Sequence, residues 1–282
     1  MAPVLSPPNQ QQAAFVCCGV RIDPMGPAQA AAAVRDLAVA RRSAAVHLCN
    51  ANNLSVAMRD ESYRELLNDS TYNFADGFPV AWAGRRAGHE VMDERVYGPT
   101  LMIDVMRLGV EAGLRHYLYG STPEVVEALA ANLTEQIPGL QIAGIESPPF
   151  GDVAPEQQRE LADRLRAADA HIVWVGISSP RQDRFCREAA PVLGMPLLAV
   201  GAAFDFHAGT KPMAPAFLQD HGLEWAFRLA TEPRRLWRRY LVGNTVFLAG
   251  LARDAAAGPR PLVPTQRTGG AAEPPVAVNQ KG

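Results

Sequence analysis

Asp76 and Gly77 directly follow the apolar run Tyr72–Ala75. A carboxylate at the end of such a run, with a glycine freeing the backbone beside it, can take a proton from a bound hydroxyl as a general base. The same residue could instead cap a helix entered at Phe78-Pro79. Asp205 lies between Phe204 and Phe206, shortly after Gly201. Its type and place suit either ligand binding or helix capping. Gly120-Ser121-Thr122-Pro123 reads as a turn into a helix, whose backbone amides can meet a phosphate or merely close an ordinary capped turn. Polar residues gather at two further apolar ends, Asn50-Ala51-Asn52-Asn53 and Ser178-Ser179-Pro180-Arg181-Gln182.

These groups work together only if the fold brings them to one edge. Apolar runs at 15–20, 46–49, 72–75, 116–119, 141–145, 171–177 and 197–202 read as strands. Amphipathic stretches near 27–41, 53–68, 99–112, 123–136, 155–168 and 181–190 read as helices. Ile172-Val173-Trp174-Val175 is apolar at every position, as in a strand covered on both faces. The alternation predicts an α/β fold: a Rossmann-like, mainly parallel sheet with helices on both faces. In such sheets ligands bind beyond the carboxyl ends of the strands, where the polar clusters fall. Residues 15–215 form this body. From 216 to 255 no strand is visible, and two helical segments split at Pro233 make a C-terminal helical appendage. Removing everything from Ala216 onward is expected to leave the body folded. Residues 1–14 and 256–282, rich in Pro, Gln and Gly, read as disordered tails.

The appendage is compositionally distinct. Residues 224–240 hold five Arg, two Glu and two Trp, a local charge of 5 − 2 = +3 in a chain whose total is −2. Arg beside Trp and Tyr suits an anionic membrane surface or a diphosphate; a solvated basic helix packing its aromatics on the body is the plainer alternative. The near-neutral total argues against a general nucleic-acid binder. Cys17, Cys18, Cys49 and Cys186 show no metal-ligand spacing and read as reduced thiols packed as small apolar groups. The six histidines form no ligand cluster, no Asp-x-Asp occurs, and the glycine fingerprints of dinucleotide sites and P-loops are missing. The N-terminal residues lack the basic and apolar regions of a signal peptide. The longest apolar stretch, 241–252, is too short to cross a membrane. The sequence is compatible with a homo-oligomer.

In order along the chain stand Ala75-Asp76-Gly77, Arg95-Val96-Tyr97-Gly98, Tyr119-Gly120, Val175-Gly176 with Pro180-Arg181-Gln182-Asp183, Val200-Gly201 with Phe204–Gly209, and Gly222-Leu223-Glu224-Trp225 running to Glu232-Pro233-Arg234-Arg235 and Arg238-Arg239-Tyr240-Leu241. Over about 200 residues this series resembles the WecG/TagA/CpsF glycosyltransferases. The resemblance implies an inverting, metal-independent transfer from a UDP-sugar, commonly UDP-N-acetylmannosamine, with no cofactor. The implied acceptor is a sugar, commonly N-acetylglucosamine, on undecaprenyl diphosphate at the cytoplasmic membrane face. The products serve teichoic acid, capsule or related polysaccharides, and some relatives transfer glucose. By motif, Asp76 would be the base. Gln182, Asp205 and Gly201 would belong to the sugar and nucleotide pocket, with Gly120 at the phosphate turn. Arg228, Arg235 and Arg238 would reach the diphosphate. Relatives often carry Thr-x-Asn where this chain has Asn50-Ala51-Asn52, so an amide replaces the hydroxyl at a position expected to contact the donor sugar. Gln182-Asp183 and Phe185 likewise replace a common Gln-Glu and Trp.

Overall fold

A computed structural model describes residues 14–257; both expected tails lie outside the described residues, apart from positions 14, 256 and 257. The body is built on a six-stranded, wholly parallel sheet. Its strands are β3 (Ala44–Cys49), β4 (Tyr72–Ala75), β5 (Arg115–Gly120), β6 (Gln141–Glu146), β7 (Ile172–Gly176) and β8 (Pro196–Ala199), in the spatial order β4-β3-β8-β7-β5-β6. The α/β reading therefore holds. The central strands are apolar throughout because both faces are covered. Leu48, Trp174 and Leu198 face α1 (Pro27–Val39), α5 (Gly98–Val110) and α6 (Pro123–Gln136). Tyr119, Val173 and Leu197 face α7 (Pro155–Ala167) and α8 (Arg181–Leu193) on the other side.

Local chemistry moves several expected boundaries. The run at 15–20 does not join the sheet. It folds as an antiparallel hairpin of β1 (Phe15–Cys17) and β2 (Val20–Ile22). Cys18 and Gly19 form the tight turn with φ of 52° and 82°, the pair of positive values a two-residue hairpin loop requires. The expected helix over 53–68 is broken into α2 (Ala51–Ala57) and α3 (Glu61–Asn68). Asp60 causes the break: its carboxylate accepts the Tyr63 backbone N–H at 3.0 Å and starts a new helix. The strand expected at 197–202 stops at Ala199. Phe204-Asp205-Phe206 lie instead in a short helix, α9 (Ala203–His207). The helix entered at Phe78-Pro79 is α4 (Phe78–Arg86), with Pro79 in its first turn, as a helix start allows.

The C-terminal segments are α10 (Ala216–Asp220), α11 (Glu224–Thr231) and α12 (Pro233–Ala257). The break at Pro233 falls where the sequence reading put it. α12 is no loose arm. Phe247 is 2 % exposed, within a core cluster shared with Phe15, Ile22, Leu54 and Phe74's neighbour Ala75. A Cβ on Gly250 would come within 2.6 Å of the Met58 sulfur and 2.7 Å of the Cys18 sulfur, so any larger residue there must push those side chains aside. The Cys18 N–H donates to Asp254 at 2.6 Å. All four cysteines are free thiols buried in the protein. No helix among the described residues is long and apolar enough to cross a membrane.

Candidate active site

The carboxyl ends of all six strands open into one cleft of about 540 Å³. After β3 comes Asn50, after β4 Asp76, after β5 Ser121 and Thr122, after β6 Ser147, after β7 the stretch to Gln182, and after β8 Gly201 and Asp205. The strand order makes this inevitable: the chain leaves β3 outward to β4, crosses to β5 and β6, then fills the centre with β7 and β8. The loops at that edge converge, as expected for an open parallel sheet.

Asp76 does not cap α4. The N-cap residue is Gly77 and it makes no side-chain cap bond. The carboxylate points elsewhere: Oδ1 accepts the Gly98 N–H at 3.0 Å, and Oδ2 accepts from the Asn50 side-chain amide at 3.4 Å. Burial pushes its pKa above the usual Asp value. The nearby Arg95 guanidinium opposes that shift and Glu224 adds to it. Gly98 is the first residue of α5, so one oxygen meets that helix's N-terminus, while the other has only a long contact to Asn50; a desolvated carboxylate so placed suits proton abstraction. Asn50 does two jobs. Its Oδ1 caps α2 by accepting the N–H groups of Asn52 and Asn53, and its amide nitrogen reaches Asp76.

Gln182 is 6 % exposed and stands on the first turn of α8, below Gly201. Its Oε1 is buried with no hydrogen-bond partner among the described residues. An acceptor left so in a cleft wall is suited to a ligand N–H or O–H. A Cβ on Gly201 would stand 3.2 Å from that oxygen. Gly120 lies under the cleft, not in its lining. It pairs with Gly176, and a Cβ there would meet the Gly176 backbone at 2.6 Å. Gly120 thus lets β5 and β7 close together while Ser121 turns into the cleft. Thr122 caps α6 by accepting the Val125 N–H at 3.4 Å, so the capped-turn reading holds and the cleft adjoins it. Asp205 lines the cleft with its carboxylate on Lys211 at 2.8 Å.

Arg228, from α11, lines the cleft with its guanidinium 5.7 Å from the centre of the Phe206 ring. Arg238 does not reach it; it is exposed, beside the Trp237 ring. The side chain of Arg235 lies outside the described residues. Asn52 contributes its backbone to the α2 cap and is not among the cleft residues.

Several residues in or behind the cleft wall were not singled out individually from sequence. Arg95 and Tyr97 flank Asp76: Arg95 Nη1 donates to the Asp76 carbonyl at 3.3 Å and its guanidinium stacks 4.1 Å from the Tyr97 ring centre. Glu224 reaches across from α11 to both. The Arg95-Val96-Tyr97-Gly98 stretch was visible as a motif, but nothing in it says which side chain turns toward Asp76. Below the Gln182 wall, buried Asp183 accepts from Tyr63 at 2.7 Å, Ser179 at 2.5 Å and Asn53 at 3.4 Å, and contacts His47 Nδ1 at 3.1 Å. These partners satisfy a carboxylate that would otherwise be prohibitively desolvated. They also pin Ser179 and Asn53 in the cleft wall. Arg181 stacks on Phe150 at the far rim, 4.5 Å from the ring centre. Among the described residues no group of three or more His, Cys, Asp or Glu could hold a metal ion.

A parallel α/β sheet with a polar cleft over all its carboxyl ends, holding a sheltered carboxylate and guanidinium groups, places the ligand site where such sheets bind small molecules. The sequence model of the glycosyl transferase WecG/TagA/CpsF family matches residues 15–260. The chain belongs to that family. It is therefore a glycosyltransferase of cell-surface polysaccharide synthesis, which acts on a sugar donor and an acceptor.

Proposed function

We propose that this chain transfers a sugar from a UDP-sugar to an acceptor sugar linked to a polyprenyl diphosphate, with inversion at the transferred carbon. The donor sugar is N-acetylmannosamine and the acceptor N-acetylglucosamine, the pair most common among the proteins it resembles. The observation that carries the reading is the Asp76 carboxylate: sheltered, not used to cap α4, fixed through Oδ1 by the first N–H of α5, and facing a cleft walled by Arg228 and Arg181. In the reaction the acceptor hydroxyl oxygen attacks the donor's anomeric carbon as the bond from that carbon to UDP breaks. The hydroxyl proton passes to Asp76. Charge gathers on the departing diphosphate, and guanidinium groups fixed in the cleft stabilise it. Arg228, which lines the cleft, is one such group on the appendage; Arg235 and Arg238 follow on α12 and serve the diphosphate of the lipid-linked acceptor, Arg238 from outside the cleft. Gln182, Gly201 and Asp205 hold the sugar and nucleotide, with Asn50 beside the transferred sugar and the amides after Gly120 near the phosphates.

The enzyme works as a peripheral protein on the inner face of the cell membrane. Exposed apolar side chains support this. Phe217, Trp225, Trp237 and Leu241 crowd α10–α12, interspersed with Arg. The surface continues onto α4 through Phe78, which lies against Gly222, and Trp82, which carries Arg86 on its ring. Aromatics with cations are suited to an anionic lipid surface.

The experiment is a donor screen. Purified protein is incubated with a short-chain N-acetylglucosaminyl-diphosphate lipid and, separately, UDP-N-acetylmannosamine, UDP-N-acetylglucosamine and UDP-glucose, with and without EDTA, and UDP release is followed. Release that requires the acceptor and survives EDTA is expected with UDP-N-acetylmannosamine. Release with UDP-glucose instead would assign the glucosyl reading. No release from any pair, alongside no UDP binding by calorimetry, would leave a docking role in a membrane polysaccharide assembly.

A further inference from the structure

We infer that Glu224 is the positioning residue of this site: one carboxylate from α11 fixes the segment that holds Asp76 and the helix that carries Arg228. The inference rests on the transferase reading with Asp76 as base.

The geometry has two arms. Toward the body, Glu224 Oε2 accepts from Arg95 Nη2 at 2.6 Å and Oε1 accepts from the Tyr97 hydroxyl at 3.2 Å. Arg95 is thereby held flat against the Tyr97 ring with its other nitrogen on the Asp76 carbonyl. Directly after Tyr97 stands Gly98, whose N–H donates to Asp76 Oδ1 at 3.0 Å. Tightening or loosening residues 95–98 therefore moves the donor that orients the base. Toward the appendage, Arg228 is four residues after Glu224 and so stands on the same side of α11. Both side chains line the cleft.

What makes Glu224 decisive is how little else holds α11. The helix has no fully buried side chain and no side-chain N-cap bond. Its aromatic contacts are Trp225 on Tyr240, which is on α12, and a single contact to the body, Arg228 over the Phe206 ring at 5.7 Å. The ion pair with Arg95 is the sheltered one, its side chains 17 % and 13 % exposed. An ion pair in such shelter is costly to break one-sidedly, because the remaining charge stays desolvated.

A second consequence concerns charge. The ionisable groups facing Asp76 are Arg95 and Tyr97 from the segment before α5, Glu224 from α11 and Cys49 from β3. Beyond the dominant effect of burial, Arg95 favours the ionised carboxylate and Glu224 disfavours it. Removing the Glu224 charge must then ease ionisation of Asp76, and removing Arg95 must hinder it.

The test uses the full-length chain with Glu224→Gln, which keeps size and hydrogen-bonding capacity but removes the charge. Arg95→Gln is its counterpart, and Glu224→Ala is added to remove the contacts altogether. UDP release in the transferase assay is measured across pH, and amide hydrogen exchange across the chain. The expected results for Glu224→Gln are a kcat lower by about tenfold to a hundredfold, as for other misplaced catalytic geometry, an acid limb of kcat/KM moved to lower pH, and faster exchange confined to residues 216–231. Arg95→Gln should move the limb to higher pH. A wild-type kcat in Glu224→Gln, or a limb that stays in place, overturns the inference. If the wild-type protein itself releases no UDP with any donor, the transferase reading fails instead. The exchange data still decide the positioning role, since unchanged exchange over 216–231 in both Glu224 variants overturns it.

Discussion

Asp76 sits where two demands conflict. A base must be ionised to work, yet burial makes ionisation costly, and the surrounding N–H donors and Arg95 only partly offset the cost. The raised pKa sets the sign of two effects. Activity should climb with pH through a limb above the ordinary Asp range, because only the ionised form accepts the proton. Stability should run the other way: the fold holds the protonated form more comfortably, so the penalty is absent below the unfolded value near 3.9, grows as pH rises from there to the raised folded pKa, and is complete above it. Asp76→Asn keeps an oxygen for the Gly98 N–H and removes the desolvated charge. We expect it to lose about 10²- to 10⁴-fold in kcat, while its Tm at pH 7.5 lies above that of the wild type. Calorimetry at pH 7.5 and at pH values below 4 checks the second half, since the gain should vanish in acid. A variant that loses activity and also melts earlier at neutral pH would show that Asp76 is structural.

The element that most changes the picture is α12. Read from sequence, everything after Ala216 is an addition to a finished body. In the structure Phe247 reaches the core shared by the hairpin, α2 and α4, and Gly250 rests directly on Cys18 and Met58. Phe247→Ala should therefore cost about 3–5 kcal/mol, the usual range for emptying a buried aromatic site, measured by urea unfolding. Truncation before Ala216 should cost more, because it uncovers the apolar residues of the hairpin and α2 together. A truncated chain with the full-length midpoint would return α12 to the status of an accessory. α11 behaves differently: it buries no side chain completely and its place is set by polar contacts. The appendage thus has an anchored half and a half that can respond to what occupies the cleft.

For the whole molecule, the cleft and the exposed aromatic surface share an edge. Phe78 is two residues beyond Asp76, and it packs beside Gly222, two residues before Glu224. A membrane lying on α4 and α10–α12 would bring a lipid-linked acceptor to the base without the enzyme entering the bilayer. The protein should co-sediment with vesicles containing anionic lipid. Raising ionic strength should weaken that binding, since surface charge is screened within about 8–10 Å at 0.1–0.15 M salt. Replacing Trp82 and Trp237 by Ser should weaken binding at all salt concentrations while leaving UDP binding intact. Equal sedimentation of the double variant and wild type would place the membrane contact elsewhere.

The parallel α/β sheet was legible in apolar patterning, because strands buried on both faces must be apolar at nearly every position and helices between them must be amphipathic. The sequence by itself also determined which residues stand at the strand ends: Asp76, Gln182, Gly201 and Asp205 all arrived in one cleft because connectivity alone puts strand ends at one edge. The hairpin turn at Cys18-Gly19 and the Asp60 cap were legible only as chemistry of single residues, and apolar patterning overrode them. What the tertiary structure alone decided was orientation and partnership across long separations. On pattern Asp76 could cap the helix at Phe78 or catalyse; in the fold its side chain leaves α4 uncapped and turns to Gly98, at the start of α5. Glu224 and Arg95 stand 129 residues apart, and no periodicity links positions so distant. Their meeting depends on how α11 comes back over the sheet, and that is set by packing of the whole chain.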